Sequence, residues 1–324
     1  MLSRRHALAA LLSAAAAAAS GLPRAARAAA GPPTVVATTG MIADAARNVA
    51  GDAATVEALM GAGIDPHAYR QTRDDVAALV RADLVLWNGL FLEAQLEDFL
   101  LELARRKPVV AAAEALPEDR LIAHEDYAGR FDPHVWMDPE LWSLVVARIE
   151  AALAEAAPGA APVFAANAAA YRAEISALAD YARATLRSIP AERRVLISAH
   201  DAFGYLGAAY GFEVLGIQGL STESEAGVAR IEALVDLIVA RRVGAVFVES
   251  SVSDRNMRAL IEGAAARGHP VSVGGELFSD AMGPEGTYEG TYLGMIDHNV
   301  TTLARALGGN APAGGRLGRL SAGL

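Results

Sequence analysis

Cysteine is absent from the 324 residues. That excludes disulfides, thiolate ligands to a metal, and lipid attachment through an N-terminal cysteine. Long apolar runs are missing too. Hydrophobic residues make up 53% of the chain, but alanine inflates the figure, and the stretch 7–20 falls short of the ~20 residues a spanning helix needs. Lysine is almost missing, with Lys107 alone among 28 basic residues, and the formal charge is −10. Nucleic acid is a poor partner for such a chain, because its binding depends on neutralising phosphates with Lys and Arg. No Gly-rich phosphate loop of the P-loop kind is present, and Ser251 and Ser253 have no accompanying base.

The short apolar stretch makes sense with its flanks. Arg4 and Arg5 form a charged leader, residues 7–19 an apolar segment, and Ala26-Arg27-Ala28 a small-residue cleavage site. This is the pattern of an export signal, so residues 1–28 are expected to be removed and the fold to begin near Ala29. The paired arginines in SRRHAL also match a twin-arginine signal loosely, with a general secretory signal as the alternative. An exported chain without an anchoring cysteine is expected to work free in a bacterial periplasm, as a monomer with no membrane anchor.

Along the mature chain, short apolar runs at 34–38, 55–59, 84–87 and 109–112 alternate with helical patterns at 42–50, 73–81 and 91–106. Two helices follow, 141–156 and a longer one over 162–188, closed by Pro190. Alternation then resumes, with strands at 194–198, 213–216, 245–249 and 271–273 and helices at 203–210, 226–241, 254–267 and 292–307. Strand–helix alternation implies parallel sheets flanked by helices. The expected architecture is α/β, two lobes joined by one long rigid helix. The boundaries are 29–160 for the N-terminal lobe, 161–190 for the linker helix and 191–308 for the C-terminal lobe. The Gly-, Ala- and Arg-rich tail 309–324 is expected to be disordered.

Two of the seven histidines stand behind the same lead-in, in IDPHAY (64–69) and FDPHVW (131–136). Proline fixes its own φ and disfavours helix for the residue before it, so each Asp-Pro-His is a stiff, non-helical corner. His67 follows the second strand, His134 precedes the helix 141–156, His200 follows the strand 194–198, and Asp280 lies beyond the strand 271–273. In open α/β sheets, ligands bind beyond the carboxyl ends of the strands. Two donors from each lobe therefore point to one ion in an interlobe cleft. Three imidazoles and a carboxylate suit zinc, while a bidentate Asp280 would admit manganese. Asp65, Asp132 and Glu249 are candidates to fix the imidazole tautomers.

Each residue also has a plainer reading. A lone loop histidine is usually only a loop residue, His200 beside Asp201 could simply start a helix, and Asp280 alone looks like any loop aspartate. His6 belongs to the export signal, His269 reads as a turn residue and His298 as a helical residue without an obvious partner. His124, between acids in AHEDY, reads as a solvated face or as the remnant of a metal-collecting loop.

Longer stretches carry more. TTGMIAD (38–44), DPHAY (65–69), LVLWNGLFLE (84–93), FDPHVWMDP (131–139), ISAHDAFGYLGAAYGF (197–212), QGLSTESEAG (218–227), VFVESSV (246–252), GGELFSDAMG (274–283) and GTYLGMIDHN (290–299) occur in this order. Together they resemble the TroA-like zinc- and manganese-binding periplasmic proteins of metal ABC importers. The resemblance implies two α/β lobes with the metal between them, and one ion per chain on His67, His134, His200 and Asp280. Delivery to an ABC transporter permease is implied, and a periplasmic metallochaperone is a second candidate partner. His200 at the third ligand position points towards zinc, where glutamate marks manganese binders, although the three-His, one-Asp set occurs with both metals. The long His- and acid-rich insert of the zinc subgroup is missing between Glu114 and His134. An exported zinc hydrolase using the same ion is the alternative from a different class.

Overall fold

The computed structural model describes residues 31–124, 129–224 and 226–321. The export signal 1–28 and the pair Glu125-Asp126 lie outside the described residues. Strand β1 (Thr34–Ala37) is followed by α1 (Gly40–Ala50), β2 (Thr55–Ala58), α2 (Arg73–Arg81), β3 (Leu84–Trp87), α3 (Glu97–Ala104) and β4 (Val109–Ala111). The four strands form one parallel sheet in the order β2-β1-β3-β4. Val35, Val36 and Ala37 are fully buried, as expected of a strand covered on both faces. Thr39 caps α1 by accepting the Ile42 N–H, and Thr72 with Asp75 forms a capping box on α2.

Two long helices follow, α4 (Pro139–Ala156) and α5 (Ala161–Arg187). The second lobe then runs β5 (Val195–Ser198), α6 (Gly204–Tyr210), β6 (Glu213–Gly216), α7 (Val228–Arg241), β7 (Ala245–Glu249), α8 (Arg255–Ala266), β8 (Ser272–Leu277) and α9 (Tyr292–Ala306). Its strands form parallel pairs β5–β6 and β7–β8, with β5 beside β7.

The 27 residues of α5 span ~40 Å at 1.5 Å per residue. Phe164, Ala168, Tyr171, Ile175, Leu178, Ala182 and Leu186 recur three or four apart and are buried, which lays one stripe along the body. Near its start Tyr171 donates to Asp44 of α1 at 2.8 Å, and further on Tyr181 pairs with Thr301 of α9 at 3.1 Å. The helix is thus fastened to both lobes. One apolar core also crosses between them: Val35, Trp136, Trp142 and Leu178 share it with Phe203, Phe278, Met282 and Tyr292. Such a core resists wide hinge opening.

Two expectations need correction. The helical pattern over 91–106 begins only at Glu97, because Gly89, Leu90 and Phe91 all take positive φ. Buried Glu93 holds that turn by accepting the Asn88 and Gly89 N–H groups and the Thr38 hydroxyl. The tail is also more ordered than its composition predicts. Asn310 N–H donates to Ser188 Oγ, Arg316 N–H to both oxygens of Asp297, and Ser321 N–H to Glu289 Oε1. Captured backbone amides, with Ala311 packed against the core, hold it, and composition does not register them. Residues 322–324 lie outside the described residues.

Candidate metal centre

Both Asp-Pro-His corners are built the same way. The aspartate carboxylate accepts the backbone N–H of the histidine two residues on, Asp65 from His67 and Asp132 from His134, each at 2.9 Å. Proline between them fixes the turn, and the aspartate closes it. His200 leaves the end of β5 with its backbone N–H donating to Glu249 at 2.9 Å. Gly216 lets β6 lie against it, since a Cβ there would stand 2.5 Å from the Asp201 nitrogen and 2.7 Å from the His200 carbonyl carbon. The Asp280 loop is clamped by Asn299, which accepts the Phe278 N–H and donates to the Phe278 carbonyl, and by Trp136 Nε1–H on the Ser279 carbonyl.

These four corners bring His67, His134, His200 and Asp280 together, all buried, with their donor atoms within 4.8 Å of one another. His134 Nε2 lies 3.2 Å from His67 Nε2 and 3.4 Å from His200 Nε2. Asp280 stands 3.8 Å from His67 Nε2, 3.3 Å from His134 Nε2 and 3.1 Å from His200 Nε2. Donors held 2.0–2.2 Å from a tetrahedral ion stand ~3.3–3.6 Å apart, so the spacing is that of a single four-coordinate site. Both Asp280 oxygens are buried and receive no hydrogen bond from outside the imidazoles. Two buried carboxylate oxygens faced only by imidazole nitrogens make a natural place for a cation.

Buried acids orient two of the three rings. Asp132 takes the Nδ1 of His134 at 2.7 Å, and Glu249 takes the Nδ1 of His200 at 2.6 Å. Each leaves Nε2 facing the cluster with its lone pair available when the ring is neutral. Burial opposes charge on His134, but Asp132 and Asp280 outweigh it and raise the ring to about 9. His200 is likewise pushed well up by Asp280 and Glu249 against burial. Burial would raise Asp280, yet His200 and His134 hold it well below the usual carboxylate range. His67 differs, since burial lowers it to about 3 with Asp280 offsetting only part.

Asp132 and Glu249 thus occupy the orienting places expected of them. Asp65 does not, because it serves the His67 backbone and not the ring. His298 has a partner after all, its Nε2–H donating to the Glu276 carbonyl at 2.8 Å. His269 donates to the Val243 carbonyl at 2.8 Å. His124 is buried, contrary to a solvated face, and stands outside the four-residue cluster. Asn88, Tyr205, Trp136 and Asn299 support the corners without titrating in any useful range. Asn88 Nδ2 donates to the Pro133 carbonyl and Tyr205 Oη to the Asp132 carbonyl. All four fall within the stretches that carry the family resemblance, but no periodicity or spacing marks them as supports of the site.

Compared with known proteins, residues 35–306 match the family model described as ZnuA, zinc-uptake complex component A, periplasmic. The chain is 46% identical over 273 residues to the manganese-binding lipoprotein MntA of Bacillus subtilis, covering 84% of this chain and 89% of that one. It is 47% identical over 273 residues to the zinc-binding protein TroA of Treponema pallidum, covering 84% and 88%. The iron-binding protein YfeA of Yersinia pestis is 33% identical over 274 residues, covering 85% and 86%. The solved structure of the periplasmic zinc-binding protein TroA from Treponema pallidum superposes with a TM-score of 0.83 at 46% identity, covering 86% of this chain and 99% of that one.

Proposed function

The chain belongs to the zinc-uptake component A family, the metal-binding substrate-binding proteins of ABC importers, and on that premise we propose that it carries one divalent ion, zinc in preference to manganese, on His67, His134, His200 and Asp280. The observation that carries this reading is the buried tetrahedron of donors, three imidazole nitrogens and a carboxylate spaced for one ion. Relatives named for manganese, zinc and iron leave the metal open, so the donor set must argue for it. Imidazole-rich sites favour zinc over manganese by intrinsic affinity. The two oxygens of Asp280 offer a bidentate grip through which manganese would bind more weakly.

The ion is cargo here, and the site is built to hold it without reacting it. Four buried protein donors close a tetrahedral shell, whereas a hydrolytic zinc keeps a position for water. The family gives the hydrolase alternative no support. Release is to an ABC transporter permease, with a periplasmic metallochaperone as a candidate source of the ion. Several relatives are named lipoproteins, but this chain has no cysteine to carry a thioether-linked lipid. It is therefore proposed to work in the periplasm after loss of residues 1–28.

A competition titration of the metal-stripped protein with zinc and manganese, followed by calorimetry, tests the reading. One tight zinc site that manganese does not displace is the expected result. Comparable binding of both metals would remove the zinc preference. No tight site for either would refute the ligand assignment.

A further inference from the structure

His134 and His200 are each steadied by an acid from their own lobe, Asp132 and Glu249, and their side chains are fully buried. His67 is built differently. Among the described residues no carboxylate other than Asp280 stands within reach of its ring, and its side chain keeps 4% exposure where the other two keep none. What fixes it is its backbone N–H on Asp65 Oδ1. The other oxygen of Asp65 accepts a hydrogen bond from the Thr222 hydroxyl at 2.5 Å. Thr222 lies 157 residues further along the chain, in the connection between β6 and α7 of the opposite lobe.

We propose that Thr222 is a positioning residue for metal release: its hydroxyl ties the Asp65–His67 corner across the cleft, and His67 is the first ligand to leave the ion when that tie breaks. The inference rests on the ligand assignment above. Its physical basis is an asymmetry. The rings of His134 and His200 each keep a carboxylate of their own lobe on Nδ1, although Tyr205 of the second lobe also holds the Asp132 carbonyl. The His67 corner has one fixing acid, and half of that acid's hydrogen bonding belongs to the other lobe. A small displacement of the 218–224 connection would free Asp65 and loosen His67 while the other three donors kept their places. Near the same place Gln95 Nε2 donates to Glu223 Oε1 at 2.5 Å, but that pair is exposed. Water competes for an exposed bond, so it contributes little to holding the lobes.

Zinc release into excess chelator, followed by stopped flow on the full chain, tests the proposal. A hydrogen bond to a charged group contributes ~1.5–3 kcal/mol, so Thr222→Val is expected to release zinc about tenfold faster or more. Thr222→Ser, which keeps the hydroxyl, should release at the wild-type rate, and so should Gln95→Ala. In a His67→Ala background, Thr222→Val should leave zinc affinity unchanged, since the corner it holds no longer carries a ligand. A merely structural role would lower affinity in that background too. Wild-type release by Thr222→Val, equally fast release by Thr222→Ser, or an undiminished effect without His67 would each overturn the proposal. If the wild-type protein bound no zinc tightly, the ligand assignment and this inference would fall together. Tight zinc with an unaltered Thr222→Val rate would remove the tie alone.

Discussion

The two Asp-Pro-His corners share a tripeptide, a turn and a 2.9 Å bond from aspartate to the histidine N–H, yet they present their rings in opposite electrostatic states. Asp132 is buried and reaches both the backbone and the Nδ1 of His134. Asp65 reaches the backbone of His67 and then turns outward to Thr222. The consequence is a ring raised to about 9 at one corner and lowered to about 3 at the other. The motif therefore sets where a histidine points. What it is paired with, and so how firmly it is held and protonated, comes from the elements packed around it.

Removing either ring should break the comparison most severely. His67→Ala and His134→Ala are each expected to weaken zinc binding by several orders of magnitude in a calorimetric titration, with the circular dichroism of the metal-free protein unchanged. Equal, small losses from both would mean that neither corner supplies a ligand. Removing the orienting acids should cost less. Asp132→Asn and Glu249→Gln are each expected to weaken zinc roughly 10–100-fold, the usual effect of losing a ligand's hydrogen-bond partner. Asp65→Asn should fall at the low end of that range, because Asp65 does not touch the ring and the asparagine amide can still pair with the His67 N–H and the Thr222 hydroxyl. An Asp65→Asn loss as large as that of Asp132→Asn would erase the distinction between the corners.

Acidity sharpens the same contrast. Metal-free His134 keeps its proton below about 9, so an incoming ion must displace it. Affinity should therefore rise with pH towards 9 and fall roughly tenfold per unit below it for each proton displaced. His67, lowered to about 3, is already neutral over that range and adds nothing to the slope. Calorimetry in buffers of different ionisation enthalpy counts the protons released. Asp132→Asn should move the onset of the fall to lower pH, and an unchanged onset would contradict the role given to Asp132. The smallest effect is expected for Asn88→Ala, which removes the bond to the Pro133 carbonyl behind His134. A loss below tenfold in zinc affinity, with His67-dependent release unaffected, is the anticipated result.

Much of the fold was legible before the structure. The runs over 84–87, 213–216 and 245–249 are the strands β3, β6 and β7, because short apolar segments between helices have few other ways to bury both faces. The helix over 73–81 was legible for a similar reason, with a capping box at its start. Residues 91–96 were not, since three positive φ values in a row are stabilised by Glu93, a buried carboxylate whose partners Thr38 and Asn88 come from two other strand ends. The ordered tail was missed because its anchors, Asp297 and Glu289, look like any helical or loop acids in one dimension.

By itself the sequence determined the alternating α/β elements, the long α5 with its buried stripe, and two stiff corners that aim histidines beyond strand ends. These follow from local sterics and periodicity, which depend only on neighbours in the chain. Tertiary structure alone decided that His67, His134, His200 and Asp280 stand 3.1–3.8 Å apart across the contacts described. It also decided that Asp132 and Glu249 take imidazole nitrogens while Asp65 takes a hydroxyl from the far lobe. Distances between side chains 66 or more residues apart, and the burial that shifts their protons, exist only once the sheets, the linker helix and the shared core have fixed where each strand ends.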